Sequence, residues 1–231
     1  METPRIVAAV GTSQGQATVQ ALCDIRVNLS IPHLLSASFF SRRLGEIESE
    51  NAGKAFGAFW DELFAQASAV VFSAVAALEA YANELFIDHS KVFPELRDEV
   101  MAKLWQLYEQ KPPLEKYEFA LLLKQGPEFD RGSSPYQDVA ALIKLRNGLT
   151  HFKPEWLGEQ VEHARLSAIL AHRARLGPFF PLTEPLFPRG WASHDTAVWA
   201  IKSVVSFILK FEENSQICPR MEQFKERFNV L

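Results

Sequence analysis

One short segment, from Lys144 to Lys153, carries side chains that are suited to chemistry on a phosphodiester. It contains Arg146, Asn147 and His151 within six residues. A guanidinium stays charged in proteins, and an imidazole titrates near neutrality. Metal-free cleavage of RNA uses such groups, because a base must activate the 2′-hydroxyl, an acid must protonate the leaving oxygen, and positive charge must stabilise the phosphate.

We predict that Arg146 binds two phosphate oxygens through its fork, that His151 transfers protons and that Asn147 positions one of these groups. Lys144 and Lys153 are predicted to contact the nucleic acid. One segment offers a single histidine, so the second proton-transfer group would come from the same histidine of a second chain. This is a physical reason to expect a homodimer with a site shared between its subunits.

Helix geometry separates the three residues. At 100° per residue, Asn147 and His151 share a face, whereas Arg146 lies about 140° from His151. For Arg146 to join the other two, its long side chain would have to curl round the helix, or the helix would have to loosen at Gly148.

Composition restricts the class of protein. The chain has 231 residues, of which 48% are hydrophobic and 23% are charged, as in ordinary globular proteins. Its net charge of −4 excludes a strongly basic nucleic-acid binder, so RNA would have to meet a local patch. Cys23 and Cys218 provide no metal framework, and we expect neither metal nor cofactor.

There is no signal-peptide pattern, and the longest apolar stretch, Ala67–Leu78, is shorter than the roughly 20 residues that cross a bilayer. We therefore predict a cytoplasmic protein without membrane contact.

Apolar residues spaced by three and four predict an all-α, up-and-down helical bundle. Residues 1–30 form an N-terminal extension, which could be a short hairpin or an arm, residues 31–213 form the bundle, and residues 214–231 form a tail. Residues 177–190 contain four prolines and are predicted to be irregular. The predicted helices are His33–Glu50, Lys54–Asp88, Glu95–Tyr108, Leu114–Lys124, Tyr136–His151, Glu155–Leu176 and Asp195–Phe211.

Two helices together resemble the HEPN superfamily. The first contains Glu79 followed four positions later by Asn83 within an apolar helix, and the second contains the Arg146, Asn147 and His151 motif. A late helix around Trp199–Phe207 is also similar to one of this family. The resemblance covers about residues 55–211, judged by pattern alone.

The resemblance implies a bundle of four or five helices that forms a homodimer, with the two motifs facing each other across a cleft. Many members are metal-independent endoribonucleases, and such proteins often act in toxin–antitoxin or antiphage defence systems, which would add an antitoxin or another protein as a partner. We expect Glu79 and Asn83 to support the site by orienting Arg146 or Asn147, although Glu79 could instead pair with a nearby lysine.

Two other functions remain open. The chain could be a non-catalytic bundle of the same type that binds a partner or dimerises, or it could hold a small molecule in a pocket between helices near Glu79. Arg165 belongs to a basic run that is either a solvated face or a guide for RNA. We interpret five histidines as surface or cap residues: His33, His89, His163, His172 and His194.

Overall fold

Helices dominate the computed structural model, which describes residues 5–13, 16–24, 26–54, 56–156, 159 and 161–228. Strands β1 (Arg5–Ser13) and β2 (Gln16–Asp24) precede them and pair antiparallel, with Arg5 opposite Asp24. The helices within the described ranges are α1 (Ser30–Glu50), α2 (Trp60–Ile87), α3 (His89–Val92), α4 (Asp98–Tyr108), α5 (Pro113–Leu123), α6 (Tyr136–Thr150), α7 (Glu162–Leu170) and α8 (His194–Ser215).

The all-α bundle is therefore confirmed, and the described part of the N-terminal extension is a hairpin. A 3₁₀ turn, Lys225–Phe228, lies in the predicted C-terminal tail. Residues 1–4, 14–15 and 25 of the extension, residue 55, residues 157, 158 and 160, and residues 229–231 of the tail lie outside the described residues. The division into domains at residues 30 and 213 stays a prediction.

Helix α2 is the centre of the bundle. It packs against α1, α5, α6 and α8. Its apolar residues recur at intervals of three and four, and small side chains such as Ala67, Ala74 and Ala82 are buried along it, which allows neighbouring helices to approach closely. Asp61 and Glu62 lie in its first turn, where negative charge stabilises the helix dipole.

The same helix is long and apolar enough to cross a membrane by length and composition, with a mean hydropathy of 1.7. In the bundle, however, its apolar residues contact other helices, and residues from Leu63 to Phe86 form much of the buried core. This is the environment of a core helix in a globular bundle. The cytoplasmic location itself stays a prediction.

Helix α7 is shorter than the predicted helix Glu155–Leu176. It begins at Glu162, and the Glu155 carboxylate accepts hydrogen bonds from the backbone N–H groups of Glu162 and His163, both at 3.2 Å. Glu155 is therefore a cap for the helix instead of its first residue, because the first N–H groups of a helix have no partner within the helix. At the other end, the Arg173 guanidinium donates to the Ile169 carbonyl at 2.9 Å and satisfies part of the last turn.

The start of α8 agrees with the sequence more closely. Ser193 caps the helix, because its hydroxyl accepts a hydrogen bond from the Thr196 backbone N–H at 3.2 Å. The preceding segment is irregular, as predicted. It ends in the short turn Leu186–Gly190, within which Phe187 has extended backbone angles and a buried side chain.

A buried carboxylate joins three parts of the chain at the C-terminal end of α2. Glu84 accepts hydrogen bonds from the backbone N–H groups of Leu29 and Ser30, both at 2.9 Å, and from the Ser30 hydroxyl at 2.8 Å. The Arg220 guanidinium reaches the same carboxylate at 2.8 Å and Asp88 at 3.2 Å. The first turn of α1, the end of α2 and the segment after α8 are thereby held together.

We expect Glu84→Gln to lower the free energy of unfolding by about 2 kcal/mol or more, because it weakens several charge-assisted hydrogen bonds to a buried group. Urea denaturation followed by circular dichroism measures this change. Glu95→Gln is the matched control, since Glu95 is exposed and lies between α3 and α4. Equal stability of the two variants would contradict the prediction.

Candidate functional site

Four of the predicted site residues line one cleft. It has a volume of about 540 Å³, and α6, α7 and the segment after α6 contribute to it. Lys144, Asn147 and His151 reach it from the same side of α6, because positions three and four apart share a helix face. Lys153 joins them from the segment that follows the helix.

His151 is the residue at which α6 ends. Its backbone N–H still donates to the Asn147 carbonyl at 2.8 Å, but its backbone angles are no longer helical. Pro154 three residues later disfavours continuation of the helix. The His151 side chain is exposed, so its imidazole can exchange protons with solvent or with a bound molecule.

Arg146 does not line this cleft. Its side chain is half-buried, and its Nε is buried without a hydrogen-bond partner among the described residues. This agrees with the helix geometry, which places Arg146 away from the face of His151. Within one chain, the predicted phosphate ligand is therefore not among the residues that line the cleft at His151.

The cleft carries an excess of positive charge. Lys144, Lys153 and Arg165 line it, and within the described ranges none of these three forms an ion pair. In contrast, Arg173 pairs with Asp138 at 3.1 Å, outside the cleft. Glu162 is the carboxylate of the cleft lining. Unpaired cations around a concave site favour an anionic ligand.

The sequence leaves two interpretations of Arg165 open: it belongs to a solvated face, or it guides RNA to the site. The structure places it in the cleft, on the exposed side of α7. The sequence signal was its position among basic residues, but only the packing of α7 beside α6 shows that it meets Lys144 and Lys153.

The prediction that His163 is a surface or cap residue is wrong, because the residue is only 4% exposed. Its ring lies 5.3 Å from the Phe152 ring and 5.0 Å from the Phe187 ring. Its Nε2 is 2.9 Å from the Lys153 carbonyl oxygen, which requires Nε2 to carry the proton and donate. His163 thereby fixes the backbone from which the Lys153 side chain extends into the cleft.

The remaining ring nitrogen of His163, Nδ1, is buried without a hydrogen bond and lies 3.8 Å from a Glu155 oxygen. Burial raises the pKa of the Glu155 carboxyl, but the backbone hydrogen bonds from His163 and Glu162 outweigh this effect, and the pKa is lowered overall. A charged Glu155 therefore caps α7 and holds one wall of the cleft in place.

Glu79 and Asn83 have a different neighbour from the one expected. The Asn83 Oδ1 accepts a hydrogen bond from the Lys116 ammonium on α5 at 2.7 Å. Burial lowers the pKa of Lys116, while the negative charges of Glu79 and Glu109 oppose this shift. Glu79 thus acts on Lys116 through its charge, and both alternatives for Glu79, a lysine partner and a role in orienting Arg146 or Asn147, stay predictions.

The lowered pKa of Lys116 makes stability depend on pH. Between the folded-state pKa and the ordinary value near 10.5, the unfolded chain binds the proton and the folded chain does not, so stability rises with pH through this window. Relative to Lys116→Met, we expect the wild type to gain stability as the pH rises toward about 10.5. Urea denaturation across this range measures the difference.

The matched control for this experiment is Lys103→Met, because Lys103 is exposed on α4. Its stability should follow that of the wild type at every pH. A difference between wild type and Lys116→Met that does not change with pH would contradict the assigned shift.

An apolar groove of about 440 Å³ also lies at the C-terminal end of α6. Phe64 and Phe72 of α2 line it together with Leu149 and Phe152, and the Phe72 and Phe152 rings are exposed. Phe152 therefore packs on His163 beside the cleft and also borders the groove. An exposed apolar area of this kind is typical of a contact surface for another protein.

Neither a metal site among the described residues nor a match to a known protein assigns a function to the cleft. Within the described ranges, no group of three or more His, Cys, Asp or Glu side chains is placed to hold a metal ion. Comparisons of the chain with protein-family models, with curated proteins and with solved structures find no match. The resemblance to the HEPN superfamily and the roles that it implies stay predictions.

Proposed function

We propose that this protein is a metal-independent endoribonuclease of the HEPN type, which acts in the cleft at the end of α6. The observation that carries the proposal is the position of His151, which is exposed and lines the cleft together with Asn147 and unpaired cations. A proton-transfer group beside a site that attracts phosphate is what cleavage through the 2′-hydroxyl needs.

In the proposed reaction, neutral His151 removes the proton of the 2′-hydroxyl, whose oxygen attacks the adjacent phosphorus. The bond to the 5′-oxygen breaks, and a protonated imidazole supplies the proton for that oxygen, which leaves a 2′,3′-cyclic phosphate. Lys144, Lys153 and Arg165 stabilise the negative charge of the phosphate. The second imidazole is His151 of the partner subunit, since the other histidine of the cleft lining, His163, is buried and its Nε2 already donates to the Lys153 carbonyl.

The first test is RNA cleavage in EDTA. We expect the wild type to cleave single-stranded RNA and His151→Ala to be slower by about a hundredfold or more, because a general acid–base group contributes about 10²–10⁴ in rate. His172→Ala is the matched control, since His172 is exposed after the end of α7 and does not line the cleft. Gel analysis of the products measures both. Cleavage that needs a divalent metal, or equal rates for the two variants, would contradict the mechanism.

We further propose that the homodimer forms through the apolar groove, because Phe152 of the groove packs against His163 of the cleft lining, so that a second copy in the groove would lie next to the cleft. Phe72→Glu puts a charge into this groove and is expected to yield monomers with little RNA cleavage. Phe39→Glu is the control, because Phe39 is an exposed phenylalanine on α1 outside the groove. Analytical ultracentrifugation gives the oligomeric state. An active monomer, or a dimer that persists in Phe72→Glu, would refute this arrangement.

One observation favours the second function, a non-catalytic HEPN-type module that binds a partner or dimerises. Arg146 is half-buried and outside the cleft lining, so the predicted motif is not assembled within one chain. A protein that binds RNA or a second protein without cleaving RNA would support this function. A role in toxin–antitoxin or antiphage systems, with an antitoxin as partner, rests on the resemblance alone.

A further inference from the structure

The cleft has an apolar part as well as a charged part. Leu166 and Ile169 of α7 line it beside Gly148 of α6, together with Phe187. Gly148 leaves room here for the Leu166 side chain, because a Cβ at this position would lie 2.6 Å from the Leu166 Cδ2. Leu166 and Ile169 are half-buried, so their remaining exposed surface faces the cleft that they line.

The charged part consists of Lys144, Lys153 and Arg165, and Glu162 is the opposing charge. An inorganic phosphate would use these cations but would leave the apolar surface in contact with water. The volume of about 540 Å³ lies in the usual range of about 300–1,000 Å³ for small-molecule sites, which is larger than a phosphate alone needs. The ligand that satisfies both parts carries a negative charge and a weakly polar group that can cover Leu166 and Ile169.

We infer that the cleft binds one nucleotide of single-stranded RNA, with its base against Leu166 and Ile169 and its phosphate at the cations of the rim. This inference rests on the proposed function, because it names the form of RNA that the same site accepts. A base within a duplex is stacked and paired, and it cannot enter a cleft unless it leaves the stack. The structure therefore assigns to Leu166 and Ile169 the selection of unpaired RNA.

Binding without cleavage separates this inference from the proposed reaction. The probe is a single-stranded 2′-O-methyl RNA hexamer, whose blocked 2′-oxygen cannot attack the phosphorus. Its affinity for the 231-residue chain is compared, by fluorescence anisotropy, with that of the same hexamer annealed to its complement and with that of an abasic hexamer, in which 2′-O-methylribose and phosphate carry no base.

We expect the single strand to bind at least about fivefold more tightly than either comparison probe, because the base removes apolar surface of Leu166 and Ile169 from water, and fivefold corresponds to about 1 kcal/mol. Leu166→Asn should remove this preference while leaving the affinity for the abasic probe unchanged. Ile169→Asn should have the same effect, and it replaces the first variant if Leu166→Asn does not fold. Leu182→Asn is the control, because Leu182 is 96% exposed outside the cleft.

Equal affinity of the single strand and the abasic probe would overturn the inference, as would tighter binding of the duplex. A loss of affinity for all three probes in Leu166→Asn would also overturn it, since the residue would then not act through the base. If the protein prefers unpaired RNA but does not cleave it, the proposed reaction is refuted and the inferred base site still stands.

Discussion

The Glu84 carboxylate is the interaction on which the arrangement of the bundle depends. It lies at the end of the central helix α2, only 8% exposed, and accepts hydrogen bonds from the start of α1 and from Arg220. The Glu212 carboxylate has a similar role. It accepts hydrogen bonds from the Tyr81 hydroxyl at 2.6 Å and from the Arg220 backbone N–H at 2.7 Å. A buried charge is costly without partners, so these contacts fix the ends of α1, α2 and α8 relative to each other.

The opposite half of α2 supports the candidate site. Its aromatic side chains, including Phe64 and Phe72, meet the C-terminal end of α6 at the apolar groove, and the termination of α6 at His151 leaves that imidazole exposed. Glu155 accepts a hydrogen bond from the His163 backbone N–H, and the His163 ring donates to the Lys153 carbonyl. These two contacts hold one wall of the cleft in place. The position of the site follows from where one helix ends and how the next is capped.

Much of the fold could be predicted from the spacing of apolar residues, because helices of a bundle bury a continuous stripe. The bounds of α2, α6 and α8 lie within a few residues of the predictions, except at the start of α2. The predicted start of α7 was wrong. Glu155 is of a residue type that is common in helices, but here it caps the helix from outside it. The prediction for His163 was also wrong, since a histidine between two aromatic rings cannot be recognised from one helix alone.

The sequence by itself determined the all-α class and, through the 3.6-residue period, that Lys144, Asn147 and His151 share a helix face that Arg146 does not. Only the tertiary structure decided that Arg165 and Lys153 meet this face in one cleft, and that Asn83 pairs with Lys116. The physical reason is that helical periodicity is a local property, whereas the partner of a side chain on another helix depends on how the helices pack.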